Sequence, residues 1–205
     1  MTVYHLKNDG TVGVCHAKTN CPFGSNEIHF TSKEAARKAF ENKQQVWDKR
    51  WSVPINLYGH LSFQKGSVFL ELPNPEPMRD AYEYLASRVS EKTYKELVSR
   101  KNERDGADKF HITVVNYKDL KKLYKNPVMK PRVDEIFKKG YNFTLEGVGT
   151  AKNDEGQAWF AVVTSPELQE ARNTLGLPPT DLHVTLGFVG KKDVYGVPKG
   201  FDTFI

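Results

Sequence analysis

Two stretches decide how this chain reads: Phe110-His111-Ile112-Thr113-Val114-Val115 and Leu182-His183-Val184-Thr185-Leu186-Gly187-Phe188. Both have the alternation of a β-strand, in which residues i and i+2 share a face. His111 and Thr113 then face one way and Ile112 and Val114 the other. The same holds for His183 and Thr185 against Val184 and Leu186. A half-buried strand needs polar residues on its open face, but serine, threonine or lysine would serve. Here each strand sets an imidazole beside a hydroxyl, and the two copies stand 72 positions apart. A single His-x-Thr in a strand carries no weight. Two, at matching places in the chain, ask for a shared purpose.

Working outward, each of these strands closes a similar half. Ser67 to Leu72 reads as a buried strand ended by Pro73-Asn74-Pro75. Met78, Ala81, Tyr82, Leu85 and Val89 recur at helical spacing, with Tyr94, Leu97 and Val98 continuing the pattern. A loop over 102–109 precedes the first histidine strand. In the second half, Tyr141 to Gly149 and Gln157 to Val163 predict an antiparallel pair turning at Asn153-Asp154-Glu155-Gly156. Ser165 as cap, Pro166 at the first helical position and Gly176 at the end bracket a helix before the second histidine strand. A turn-rich tail follows.

The N-terminal region reads as a unit of its own over residues 1–45: a hairpin around Asn8-Asp9-Gly10, then a helix opened by Thr31 with Glu34 three positions on. Residues 46–66, with Pro54, Gly59 and Gly66 and no clear period, read as a connector with room for one short strand. The main domain is expected over 67–205.

Composition bounds the function. The chain has 205 residues, a hydrophobic share of 39% and an aromatic share of 12%, enough for one packed domain. Its longest apolar run is Ala158 to Val163, far below the roughly 20 residues of a membrane-spanning helix. The first residues lack the apolar stretch of a secretory signal, and two cysteines make no disulfide framework, so a reducing, cytoplasmic setting is expected with no membrane partner. The formal charge is +5, and residues 118–140 alone hold eight basic against three acidic side chains. Lys118, Lys121 and Lys122 follow directly on the first histidine strand and are candidates to attract an anionic substrate.

The chemistry suited to two histidines is proton transfer. Imidazole titrates near neutrality, so one ring can take a proton from an attacking hydroxyl or water while the other gives one to a leaving oxygen. The threonine hydroxyls can hold the non-bridging oxygens of a phosphate. No cofactor and no metal is called for, and threonine is a poor metal ligand. Tyr117, Trp159 and Phe188 are candidates to stack on a base. Cys15, His16, Cys21 and His29 offer four potential zinc ligands, but Cys-His-x4-Cys-x7-His matches no common finger.

His111-Ile112-Thr113-Val114-Val115 and His183-Val184-Thr185-Leu186-Gly187-Phe188 resemble the paired signatures of the two-histidine (2H) phosphoesterase superfamily, over about residues 67–190. That superfamily includes RNA 2′,3′-cyclic phosphodiesterases, 2′-5′ oligonucleotide phosphodiesterases and phage nucleases that destroy cyclic-oligonucleotide immune signals. The resemblance implies an α+β, bilobal fold of two antiparallel sheets with flanking helices around a central groove. It implies His111 and His183 as acid and base, in an order the motif leaves open, with Thr113 and Thr185 on the phosphate. After the first motif, Val115-Asn116-Tyr117 departs from the commoner aliphatic-phenylalanine ending. The expected activity is metal-independent cleavage of a small nucleotide or oligonucleotide. Two alternatives stay open: a non-catalytic nucleotide- or RNA-binding module that keeps the groove, and an interaction protein carrying a vestigial esterase domain. The segment around Cys15-His16-Ala17 and Cys21-Pro22-Phe23-Gly24 resembles small N-terminal modules found before various domains.

Overall fold

The computed structural model describes residues 2–6, 11–15, 29–51, 55–64, 66–72 and 74–205. It is an α+β molecule with two antiparallel sheets, as expected. The smaller has the order β2-β1-β3 and the larger is a closed ring, β4-β5-β6-β9-β8-β7.

In the small sheet, β1 (Tyr4–Leu6) pairs antiparallel with β2 (Val12–Val14), consistent with a hairpin whose turn residues lie outside the described set. β3 (His29–Phe30) adds to the other edge of β1. Helix α1 (Lys33–Trp51) follows. Its first turn is satisfied by Ser32, whose Oγ accepts from the Ala35 amide at 3.0 Å, one residue after the expected Thr31. His16 and Cys21 lie outside the described residues, and with them the zinc-ligand cluster; Cys15 is a free thiol.

The expected connector over 46–66 is instead the end of α1 and a ten-residue strand, β4 (Ile55–Gln64). Gly59 hid it. Within the strand it reads as a breaker, yet a Cβ there would come within 2.8 Å of Leu70 Cδ2 and 3.0 Å of the Glu71 carbonyl, so the neighbouring strand requires a bare backbone. β4 pairs with β5 (Ser67–Glu71) on one side and with β7 (Gly140–Asn153) on the other, which closes the ring.

Helix α2 (Glu76–Ala86) begins after Pro75, and α3 (Glu91–Asp105) begins at Ser90, whose Oγ accepts from the Thr93 amide at 3.2 Å. α3 runs through Asn102-Glu103-Arg104-Asp105, where a loop was expected for want of apolar residues. Gly106, at φ 94, ends it, and the buried Lys101 ammonium donates to the Gly106 carbonyl at 3.0 Å. β6 (His111–Val115) leads into α4 (Tyr117–Lys125), capped by Asn116, and α5 (Met129–Ile136). β7 and β8 (Gly156–Thr164) form the long hairpin. α6 (Pro166–Thr174) is capped by Ser165 and closed by Gly176 at φ 70, and β9 (Leu182–Gly190) completes the ring.

One face of the ring lies under helices. Ile112, Val114, Val184 and Leu186 are at most 1% exposed and share a core with Met78, Ala81 and Leu85 of α2, Leu97 of α3 and Leu168 of α6. Each such side chain contributes about 1.5–3 kcal/mol. The alternation that buries these four turns their neighbours, the histidines and threonines, to the opposite face.

Candidate active site

β6 and β9 are adjacent and antiparallel, bridged by a single pair, Ile112 opposite Val184. That register sets His111 across from Thr185 and Thr113 across from His183. The two imidazoles therefore lie on a diagonal of the pair, where regular strand geometry sets Cβ atoms somewhat less than about 7–8 Å apart. All four side chains line one groove of about 1080 Å³. Strand geometry built from residues far apart in the chain has made one constellation.

Each histidine has its own surroundings. The ring of Phe69, on β5, stacks on His111 at 4.1 Å and 34°. Burial pushes the His111 imidazole below the usual range for histidine, while the carboxylates of Asp105 and Glu71 oppose the loss of its proton. His183 sits against Phe160 at 5.6 Å and 65°. Its Nδ1 lies 2.9 Å from the Asp181 carbonyl, which can only accept, so Nδ1 carries the proton and Nε2 presents a lone pair. The Lys199 ammonium lies 3.3 Å from that Nε2. Burial first, and the Lys199 charge second, push His183 down to about 4. In both rings the surroundings thus favour the neutral form.

Behind Lys199 stands a buried ionic chain. Asp193, 4% exposed, has Oδ1 at 4.0 Å from Lys199 Nζ, and its Oδ2 accepts from Arg104 Nη1. Arg104, at the end of α3, also grips Asp105 through two hydrogen bonds of 2.9 and 2.7 Å. Arg172, buried under the groove, donates to the carbonyls of Val114 and Pro178. It ties β6 to the loop that leads into β9.

Of the other residues singled out in the sequence, Tyr117 lines the groove and is 55% exposed. Trp159 and Phe188 do not line it. Trp159 belongs to the helix-side core at 4% exposed. Phe188 is buried among Phe160, Val162 and Val194, with the Arg104 guanidinium 5.2 Å over its ring. Neither is placed to stack on a nucleotide. Lys118, Lys121 and Lys122 are exposed on α4, outside the groove lining, with Lys122 3.9 Å from Asp119.

Sequence reasoning missed Arg104, Asp193 and Lys199. The only signal was weak: a charged run where α3 ends, and a lysine and an aspartate in an otherwise turn-rich tail.

Two imidazoles and two hydroxyls on one face of a helix-backed antiparallel ring are groups suited to acid–base chemistry on a phosphoester. Residues 78–195 match the domain described as Swiss Army Knife, 2H phosphoesterase domain, which is more than half of the chain. The chain belongs to the 2H phosphoesterase family, and with it to hydrolases acting on phosphoester bonds. No curated protein and no solved structure matches it.

Proposed function

We propose that this protein is a metal-independent phosphodiesterase that cleaves a cyclic phosphate or a phosphodiester bond in a small nucleotide: a 2′,3′-cyclic nucleotide, a 2′-5′ oligonucleotide or a cyclic oligonucleotide signal. A cyclic signal would make it an anti-defence enzyme of a phage. The observation that carries this reading is the pairing of the two His-x-Thr strands at Ile112 and Val184, which gathers two imidazoles and two hydroxyls in one groove.

The surroundings of the two rings support a direction. His183 offers an unprotonated Nε2 and serves as base; His111 serves as acid, with burial, Arg104 and Lys101 lowering its proton affinity and Asp105 and Glu71 opposing them. In hydrolysis, His183 takes a proton from water as its oxygen bonds to phosphorus. The bond from phosphorus to the leaving oxygen breaks, and that oxygen takes the proton from His111. Thr113 and Thr185 donate to the non-bridging oxygens as charge builds on them. The negative phosphate itself raises the proton affinity of His111 on binding.

The groove is not a basic track. Its lining pairs four basic residues, Arg104, Lys109, Arg172 and Lys199, with five acidic ones, Glu71, Asp105, Asp108, Asp181 and Asp193. A long nucleic-acid strand would find little field to follow there, whereas a small substrate needs only local donors. The lysines of α4 then act from outside, raising the encounter rate with an anion. Such a substrate fits a cytoplasmic protein without a membrane partner, and among the described residues no helix is long and apolar enough to cross a membrane.

The test is turnover of a panel of 2′,3′-cyclic nucleotides, 2′-5′ and 3′-5′ oligonucleotides and cyclic di- and trinucleotides in the presence of EDTA. His111→Ala and His183→Ala are each expected to lower the rate by about 10²-fold or more. If the wild type turns over none of them, or either variant works as fast as wild type, the catalytic reading is wrong and a binding module takes its place.

A further inference from the structure

After Gly190 the chain turns back along the second motif strand. The Lys199 amide donates to Asp181 Oδ2 at 2.8 Å, fastening Lys199 to the residue two positions before His183. Its side chain is only 6% exposed, yet it lines the groove together with Thr113 and Thr185. An ammonium has three N–H donors. Among the described residues, His183 Nε2 at 3.3 Å is the acceptor within hydrogen-bond reach, and Asp193 Oδ1 stands off at 4.0 Å. That carboxylate is already engaged by Arg104 and, at 2.7 Å, by the Val194 amide. Beneath, the ring of Phe160 lies 5.5 Å from Nζ. A buried cation with donors to spare is costly unless something supplies the acceptors. Lys199 lines the same groove as both motifs, so a ligand bound there can supply further acceptors.

We infer that Lys199 is a third phosphate-binding group of the site, its ammonium taking a non-bridging oxygen of a phosphate monoester or diester anion. The inference rests on the phosphodiesterase reading of the groove and adds to it a residue that belongs to neither motif. It also gives the lysine a second task. In the unliganded protein the ammonium occupies the lone pair of His183 Nε2; when a phosphate draws it away, the base is uncovered as the substrate arrives. The groups facing Lys199 are His183 on β9, Asp193 on its own segment and Arg104 from α3. Burial lowers its proton affinity, Arg104 lowers it further and Asp193 opposes both. A bound phosphate acts in the same sense as Asp193.

The probe is inorganic phosphate, added to the full chain labelled with ¹³C-lysine and ¹³C-histidine. The Lys199 ε-carbon signal is assigned by its loss in Lys199→Arg. In the wild type that signal should shift saturably with phosphate, together with the ring signals of His111 and His183. Lys199→Met should weaken the affinity seen at the two histidines by about 10-fold or more, while Lys199→Arg stays within about threefold. A Lys199 signal that stays put at phosphate concentrations saturating the histidines overturns the inference, as does equal affinity in Lys199→Met. The wild-type titration decides the matter even where Lys199→Met fails to fold. Failure of the broader reading looks different: full turnover by His111→Ala removes the esterase mechanism and leaves the phosphate titration at Lys199 standing.

Discussion

Replacing Gly187 by alanine adds one methyl where helix α3 crosses strand β9, and the surroundings leave it no room. The new Cβ would lie 2.5 Å from the Leu97 carbonyl oxygen, 2.8 Å from the Leu97 carbonyl carbon and 2.6 Å from Leu97 Cδ1. Ordinary contact begins at 3.4 Å, so helix and strand must part by about 0.9 Å. Two of these three obstacles, including the nearest, are main chain. On one side β9 is paired with β8, Gly187 opposite Trp159. On the other, α3 is moored through Arg104 to Asp193. The cost therefore belongs near the top of the range for overpacking, about 3 kcal/mol. For a chain of this length that is a fall in Tm of roughly 6–12 °C. Gly176→Ala is the control: its φ of 70° strains any side chain, but no atom lies within 4 Å of the added methyl. That substitution should cost about 1 kcal/mol from the backbone alone. Urea unfolding of the two variants side by side measures the difference. A Gly187→Ala loss no larger than that of Gly176→Ala would refute the close approach of α3 to β9.

The remaining predictions concern the groove. With His183 as base, held to about 4, and His111 as acid, also held below its usual range, kcat/KM should peak in mildly acidic solution and fall on either side. The acid limb reports protonation of the base and the alkaline limb loss of the proton from the acid; a maximum above pH 8 on a cleaved substrate contradicts these roles. Tyr117→Ala should raise KM severalfold with the fold intact, because its exposed ring lines the groove. Trp159→Ala should instead cost about 3–5 kcal/mol of stability, as for a buried aromatic in the core, and a melt within 1 kcal/mol of wild type would place that ring elsewhere. Neutralising Lys118, Lys121 and Lys122 together should raise KM more than it lowers kcat and flatten the salt dependence, an effect read by steady-state kinetics at two ionic strengths.

The two motif strands were legible because each buries a single face: period-two alternation then tells which side chains emerge, and His111, Thr113, His183 and Thr185 do emerge together. The helix start at Ser165 was legible for a local reason too, its hydroxyl accepting from the Leu168 amide at 3.1 Å. What sequence could not show was orientation where both faces are buried. Ala158 to Val163 is apolar at every position, so nothing in it says that Trp159 turns to the helices and Phe160 to the groove. Nearness in the chain also misled. The lysines after His111 ride out on α4, while Lys199, sixteen positions beyond His183, is brought back to it by a hydrogen bond from its main chain to Asp181. β4 was hidden by a glycine whose need arises only from the strand beside it.

The single bridge between Ile112 and Val184 has a consequence for how such a site acquires a direction. About that bridge the two motifs are interchangeable: each gives one imidazole and one hydroxyl, and a half-turn carries either onto the other. A phosphate bound over the bridge meets no difference between forward and reverse in the strands themselves. The difference comes from the flanks, Phe69 and Glu71 on one side, Asp181 and Lys199 on the other. The strands are a symmetric holder; what distinguishes one ring from the other comes from residues that the motifs do not contain.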